Sequence, residues 1–309
     1  MIDSESKERR KHSPVFWVIY ILIALIFSVC VLVIYNQLAD FQQSIHEFEQ
    51  AAEIANIPDM SDLINAYLPD EEVTQDNENA ENTVSDTTTD NILTQENLYE
   101  IILDRLELTH IEALQEINPD VIGWIYITAT DISYPILQAE NNDTYLHSSW
   151  MDSGAYLTAG SIFMDCSNNP DFSDFNTIIY GHRMRNETMF GKLKYYKSTD
   201  YWQMHPDVYV VTAEKIIRYD IYAAYEVSVR GQTYQLDFEG VDSRNEYIDY
   251  TLSNAKYDTG IVPTENDLIL TLITCTASDS STRWAVQAVK REEILRYETY
   301  NEALYSSYQ

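Results

Sequence analysis

A mainly β fold, a barrel or a sandwich, preceded by one membrane-crossing helix, is what this sequence predicts. Short runs rich in β-branched and aromatic residues follow one another between residues 121 and 290, separated by turn signals. Ahead of them, residues 13–39 contain no Asp, Glu, Lys or Arg, and residues 70–91 form an acidic tract rich in Asn and Thr and almost free of large apolar groups. The first of these two tracts suits lipid and the second suits water.

Residues 15–35, VFWVIYILIALIFSVCVLVIY, supply the ~20 apolar residues that a helix needs to cross a bilayer. Lys7, Arg9, Arg10 and Lys11 precede the run, and no Lys or Arg follows until Arg105. The positive-inside bias then puts residues 1–14 in the cytoplasm and the remainder outside the cell. A cleaved signal peptide is the alternative, but the run is long for one and no small-x-small cleavage site follows. Residues 36–93 read as stalk and linker, with residues 40–68 either a juxtamembrane helix or coil. The final unit is residues 94–309. It opens with Leu98, Ile101, Ile102, Arg105 and Leu106 at helical spacing, with Thr94 as candidate cap. Ile111, Leu114 and Ile117 continue in that style as far as Asn118-Pro119. The strand runs are VIGWIYI, SYPIL, SIFMD, NTIIYGH, DVYVVTA, IRYDIYAAYEVSV, LILTLITC and RWAVQAVK. A helix capped by Asp242-Ser243 and ending near Lys256 interrupts them. Residues 292–309 read as an extension after the last strand, with the potential to form a further helix.

The 309 residues carry a formal net charge of −31. That excess of carboxylates excludes the phosphate-binding basic surface that a nucleic-acid partner needs. An apolar fraction of 45% is nevertheless that of a folded protein. The three cysteines, Cys30, Cys166 and Cys275, form no disulfide framework and have no metal-ligand spacing, so no metal or cofactor is expected.

Two segments carry chemistry. In residues 176–196 an apolar run leads into Gly181-His182 and then a polar loop. In residues 268–290 an apolar run ends at Cys275, a loop of small polar residues follows, and Arg283 opens the next run. A thiolate attacks carbonyls, imidazole relays protons near neutral pH, and a guanidinium stabilises an oxyanion without losing its own proton. Singly, a strand cysteine is ordinarily core, a histidine after a strand structural and an arginine beside one solvated.

TLITC at 271–275 with Arg283 downstream resembles the TLxTC signature of sortases, and IIYGHRM with a later MFGKL resembles the His-bearing segment of class B sortases. VIGWIYI, YPILQAENNDTYL (134–146), GSIFMD (160–165) and the helix near 242–256 match in the same order, so the resemblance covers roughly residues 94–291. It implies an eight-stranded β-barrel with added N-terminal helices. It also implies a cysteine transpeptidase that needs no calcium, in which Cys275, His182 and Arg283 are catalytic. Its substrates would be exported proteins bearing a C-terminal sorting motif of NP or SP type, cleaved after Thr, and its acceptor a peptidoglycan amine. Tyr180, Asn142, Tyr145, Thr274 and Tyr234 are the candidate substrate contacts. Where class B relatives often carry a small hydroxyl residue two before the cysteine, this chain has Ile273. Cys166 is a candidate partner for a regulatory disulfide with Cys275, which the family does not require; His147 and His205 read as surface or packing residues. A pilin-polymerising enzyme with a Lys acceptor and an inactive binding barrel are the competing readings.

Overall fold

The computed structural model describes residues 14–60, 95–275 and 281–297, with the backbone alone at 95–97 and 275. The acidic tract and Thr94 lie outside the described residues.

Helix α1 runs without a break over Pro14–Ile54. At 1.5 Å per residue it is about 60 Å long. Its first half, Val15 to Leu38, leaves its large apolar side chains exposed, and an 18-residue stretch of the helix has a mean hydropathy of 3.0. By length and composition it is a candidate membrane span. Its second half is amphipathic and docks on the barrel, so residues 40–54 are helix rather than coil. Phe48 packs edge-on against Tyr134 with ring centroids 5.2 Å apart. Trp150 Nε1 donates to Glu47 O at 2.9 Å, and the Ser149 hydroxyl donates to the Glu47 carboxylate. Burying one side chain such as Phe48 contributes about 2 kcal/mol. The packed unit therefore takes in Phe48, Ala51, Ala55 and Met60, which lie on the N-terminal side of the acidic tract.

Helices α2 (Gln95–Leu106) and α3 (Ile111–Gln115) follow the predicted apolar spacing. Strands β1 (Val121–Ile127), β2 (Ser133–Leu137), β3 (Ile162–Met164), β4 (Asn176–Tyr180), β5 (Asp207–Val211), β6 (Lys215–Ser228), β7 (Ile269–Cys275) and β8 (Thr282–Leu295) close a barrel in the order β1-β2-β3-β4-β7-β8-β6-β5. Helix α4 (Thr199–Met204) precedes β5, and α5 (Gly240–Asn254) lies between β6 and β7.

Leu270, Leu272, Trp284, Val286 and Ala288 point into one core, and Ile269, Ile273, Ala285 and Val289 into a second that α5 covers. Both faces of β7 and β8 are thus buried, so their sequences run as continuous apolar stretches instead of alternating. The second core also holds a polar network. Gln287 is fully buried and bonds Tyr222, Tyr225, Tyr247 and Thr271, so its amide is satisfied without water.

Two expectations change. Helix α5 begins at Gly240, two residues before Asp242, and no side chain caps it, because the chain enters the helix through a positive-φ glycine (φ +81°). Glu292 to Leu295 belong to β8, pairing with Lys215 to Arg218 of β6 beyond a register shift between Arg218 and Tyr219. The buried Arg296 then bonds the carbonyl oxygens of Glu107, Thr109 and Thr212, tying the end of β8 to the chain between α2 and α3 and to the β5–β6 turn. The rest of the proposed extension, from residue 298, lies outside the described residues.

Candidate active site

Three adjacent strands bring the candidate residues to one rim of the barrel. Strand β4 runs parallel to β7, with Tyr180 beside Ile273, so both strands end at the same rim. The backbone N–H of Gly181 continues the ladder to Ile273 O at 3.1 Å, and His182 follows directly. Strand β8 runs antiparallel to β7, so its beginning lies at that rim, where Arg283 pairs with Cys275. Ninety-three residues of sequence separation between His182 and Cys275 thus collapse to neighbouring strand ends, held by backbone hydrogen bonds on both sides of β7.

A cleft of about 260 Å³ opens here, lined by Asn142, Leu146, Phe163, Tyr180, Gly181, His182, Val229, Tyr234, Ile273, Thr274 and Arg283. Seven of these eleven carry apolar or aromatic side chains or none, and His182 and Arg283 supply the ionisable groups. Such a lining favours an extended peptide held by shape, with a few polar groups to orient it.

His182 is half-buried, and its Nε2 lies 2.7 Å from the carbonyl oxygen of Leu146. A carbonyl only accepts, so Nε2 carries the proton and Nδ1 is the nitrogen free to take one. Burial holds the imidazole below its ordinary pKa; the Leu146 carbonyl raises it, and the neighbouring His147 and Arg283 lower it further. His182 is accordingly neutral at pH 7. The His147 ring stacks on it at 5.2 Å and 21°, and Tyr156 stacks on the other side of His147 at 5.9 Å. Arg283 is half-buried and donates from Nη1 to Thr282 O at 2.9 Å.

Gly160 supports the Leu146 carbonyl from behind. Its φ is +56°, and a Cβ there would sit 2.4 Å from Leu146 O and 2.8 Å from Tyr145 O. Gly160→Ala must move the very oxygen that orients His182, in a backbone region costly to an L-residue. Turnover of a peptide substrate is expected to fall about ten-fold or more, with a lowered melting temperature; steady-state kinetics alongside thermal melting checks both.

Of the predicted contacts, Asn142, Tyr180, Thr274 and Tyr234 all line the cleft. Thr274 is buried, and its hydroxyl makes no hydrogen bond among the described residues. Ile273 lines the cleft as well, so the position two before the cysteine contributes an apolar surface. Tyr145 is a correction. It is only 1% exposed, donates its hydroxyl to Asp120 Oδ2 at 2.7 Å and accepts from Asn118 Nδ2 at 2.9 Å, so it braces the barrel instead of meeting the cleft. Sequence reasoning missed Asp165, which bonds both Tyr180 and Asn142. It also missed the Leu146 carbonyl, a backbone atom that no residue pattern could mark. His147, expected as a surface or packing residue, packs on the ring of His182. His205 is buried, with Nδ1 3.0 Å from Thr128 O. Cys166 is a free thiol.

The family model for the sortase domain matches residues 125–291. Sortase B of Listeria monocytogenes is 35% identical over 162 residues, which are 52% of this chain and 65% of that protein, a little under two thirds of its length. The structure of a Staphylococcus aureus sortase B–substrate complex aligns with a TM-score of 0.56 at 29% identity, covering 59% of this chain and 85% of that one. Clostridium perfringens sortase B aligns with a TM-score of 0.55 at 31% identity, covering 59% and 99%.

Proposed function

The chain belongs to the sortase family and is of class B, and from that premise we propose that it is a membrane-anchored cysteine transpeptidase that attaches exported proteins to the cell wall. The observation that carries this reading is the convergence of β4, β7 and β8, which sets His182, the Cys275 backbone and Arg283 around one peptide-sized cleft.

In this reading the Cys275 thiol loses its proton to the free nitrogen of His182, and the thiolate attacks the carbonyl carbon of the motif's Thr. A neutral imidazole is the form that can take that proton, and its depressed pKa keeps it available at neutral pH. The tetrahedral oxyanion forms beside the Arg283 guanidinium, which stays charged throughout. His182 then hands its proton to the departing amine as the C–N bond breaks, leaving a thioester on Cys275. An incoming amine of a peptidoglycan peptide attacks the thioester; its proton passes through His182 to the departing thiolate, and a new amide remains. Asn142, Tyr180, Thr274 and Tyr234 line the path of the motif. With residues 15–35 in the bilayer and the basic residues before them inside, this chemistry takes place outside the cell.

The test is to treat the full chain, in detergent, with a sorting-peptide analogue of NP type bearing a thiol-reactive group in place of the scissile bond. Mass spectrometry is expected to find one adduct, on Cys275. Absence of labelling favours an inactive binding barrel. With a cleavable peptide, transfer onto a wall-peptide amine supports the reading; a covalent protein ladder dependent on this chain assigns a Lys acceptor instead.

A further inference from the structure

We propose that Asp165 is a positioning residue that fixes the hydrogen-bonding polarity of the cleft wall, so that Tyr180 offers the bound peptide only an acceptor and the Asn142 amide is held in one orientation with a single N–H left to donate. The peptide's presence in this cleft rests on the function proposed above; the arrangement of the wall does not.

Asp165 follows β3 and is 7% exposed. Its Oδ2 accepts from the Tyr180 hydroxyl at 2.8 Å and from Asn142 Nδ2 at 2.9 Å, and its Oδ1 accepts from the Ser167 backbone N–H at 2.9 Å. The backbone holds the carboxylate in place: Asp165 N donates to Ile178 O at 2.9 Å, and Asp165 O accepts from Gln138 Nε2 at 2.9 Å and Asn168 N at 3.0 Å. Among the described residues the hydrogen-bond partners of the carboxylate are all neutral donors.

An ionised carboxylate only accepts. Tyr180 has one O–H, and Asp165 takes it; what the phenol can still offer the cleft is an oxygen lone pair. Burial, and then Asp165, push the Tyr180 hydroxyl far above the ordinary tyrosine range, so that proton is never lost at working pH. Asn142 is committed in the complementary sense. Its Oδ1 accepts from the Cys166 N–H at 2.8 Å and one Nδ2 hydrogen goes to Asp165, which leaves a single N–H. Without the carboxylate, the Tyr180 hydroxyl could rotate to donate and the Asn142 amide would keep only the Cys166 N–H of its two anchors, and the wall would lose its fixed pattern. Groups held by hydrogen bonds from behind bind without first paying to be ordered.

Asp165→Asn keeps the shape but turns one oxygen into a donor facing donors. With the detergent-solubilised full chain and an internally quenched NP-type peptide, this change is expected to raise KM about ten-fold and to leave kcat within about two-fold. Tyr180→Phe raises KM too, and the double variant falls short of the product of the two single effects because one removes the partner of the other. Multiplicative effects, or a fall in kcat at constant KM, overturn the proposal. An arm that needs no turnover uses the full chain with tyrosine labelled with carbon-13 at Cζ. The resonance lost in Tyr180→Phe must correlate with a slowly exchanging, downfield hydroxyl proton in the unsubstituted chain, and must shift in Asp165→Asn. A rapidly exchanging proton, or a resonance that does not move, overturns the proposal even where no peptide is cleaved; a failure of cleavage with these signals intact counts against the proposed function alone.

Discussion

Cys275→Ala is expected to abolish cleavage of a sorting peptide, a loss of at least about 10³-fold in kcat/KM. The substitution removes one sulfur at the last residue of β7, where the backbone is paired with Arg283 of β8. The ladder bonds do not involve the side chain, so the barrel should melt as before. Rate and fold are thereby separated. Peptide should still bind, since the cleft walls come from β3, β4, β7, β8 and the segments around Asn142 and Tyr234, whose residues are unchanged. Cys30 lies in the exposed apolar half of α1, and Cys166 is a half-buried free thiol beside the cleft, so neither substitutes for it. Retention of full turnover by Cys275→Ala, measured with an internally quenched peptide, would end the transpeptidase reading.

Arg283→Ala is expected to lower kcat about 10²- to 10³-fold, the range seen when a preorganised oxyanion donor is lost. Arg283→Lys should recover little of it, although the charge is kept. A guanidinium reaches two directions at once, and Arg283 already spends one N–H on Thr282 O while facing the cleft beside His182. A lysine ammonium at the end of a flexible stem cannot hold that fork. Stopped-flow measurement of thioester formation checks the assignment to the chemical step: the acylation phase should slow while peptide affinity changes by less than about three-fold. An unchanged acylation rate in Arg283→Ala would remove the residue from the proposed mechanism.

The strands were legible because their chemistry is local. VIGWIYI and SYPIL are β1 and β2 to the residue, and LILTLITC predicts β7 to within one position. Each run is bounded by turn residues, and both faces are apolar where α5 adds a second core. The placing of His182, Cys275 and Arg283 was legible only through the motif order, since nothing in local spacing says that β4 lies parallel to β7. What the sequence hid depends on long-range packing. Tyr145 lies in a segment with a polar surface pattern, yet the barrel buries it against Asp120 and Asn118. The Asp242-Ser243 pair has the side chains of a cap, but a positive-φ glycine starts the turn earlier. The docking of Phe48 on Tyr134 joins residues 86 positions apart, and Asp165 acts through contacts to Asn142 and Tyr180 on other segments.

Helix α1 joins the candidate membrane span to the barrel with no flexible joint among residues 14–54. With residues 15–35 in lipid, the barrel has the freedom of a rigid handle: the tilt and spin of one helix, not the sweep of a loose chain. Its cleft then travels at a nearly constant height above the bilayer. An enzyme so held would meet membrane-borne partners by lateral diffusion in a sheet, at an encounter rate set by their surface density and not by their concentration in the surrounding fluid.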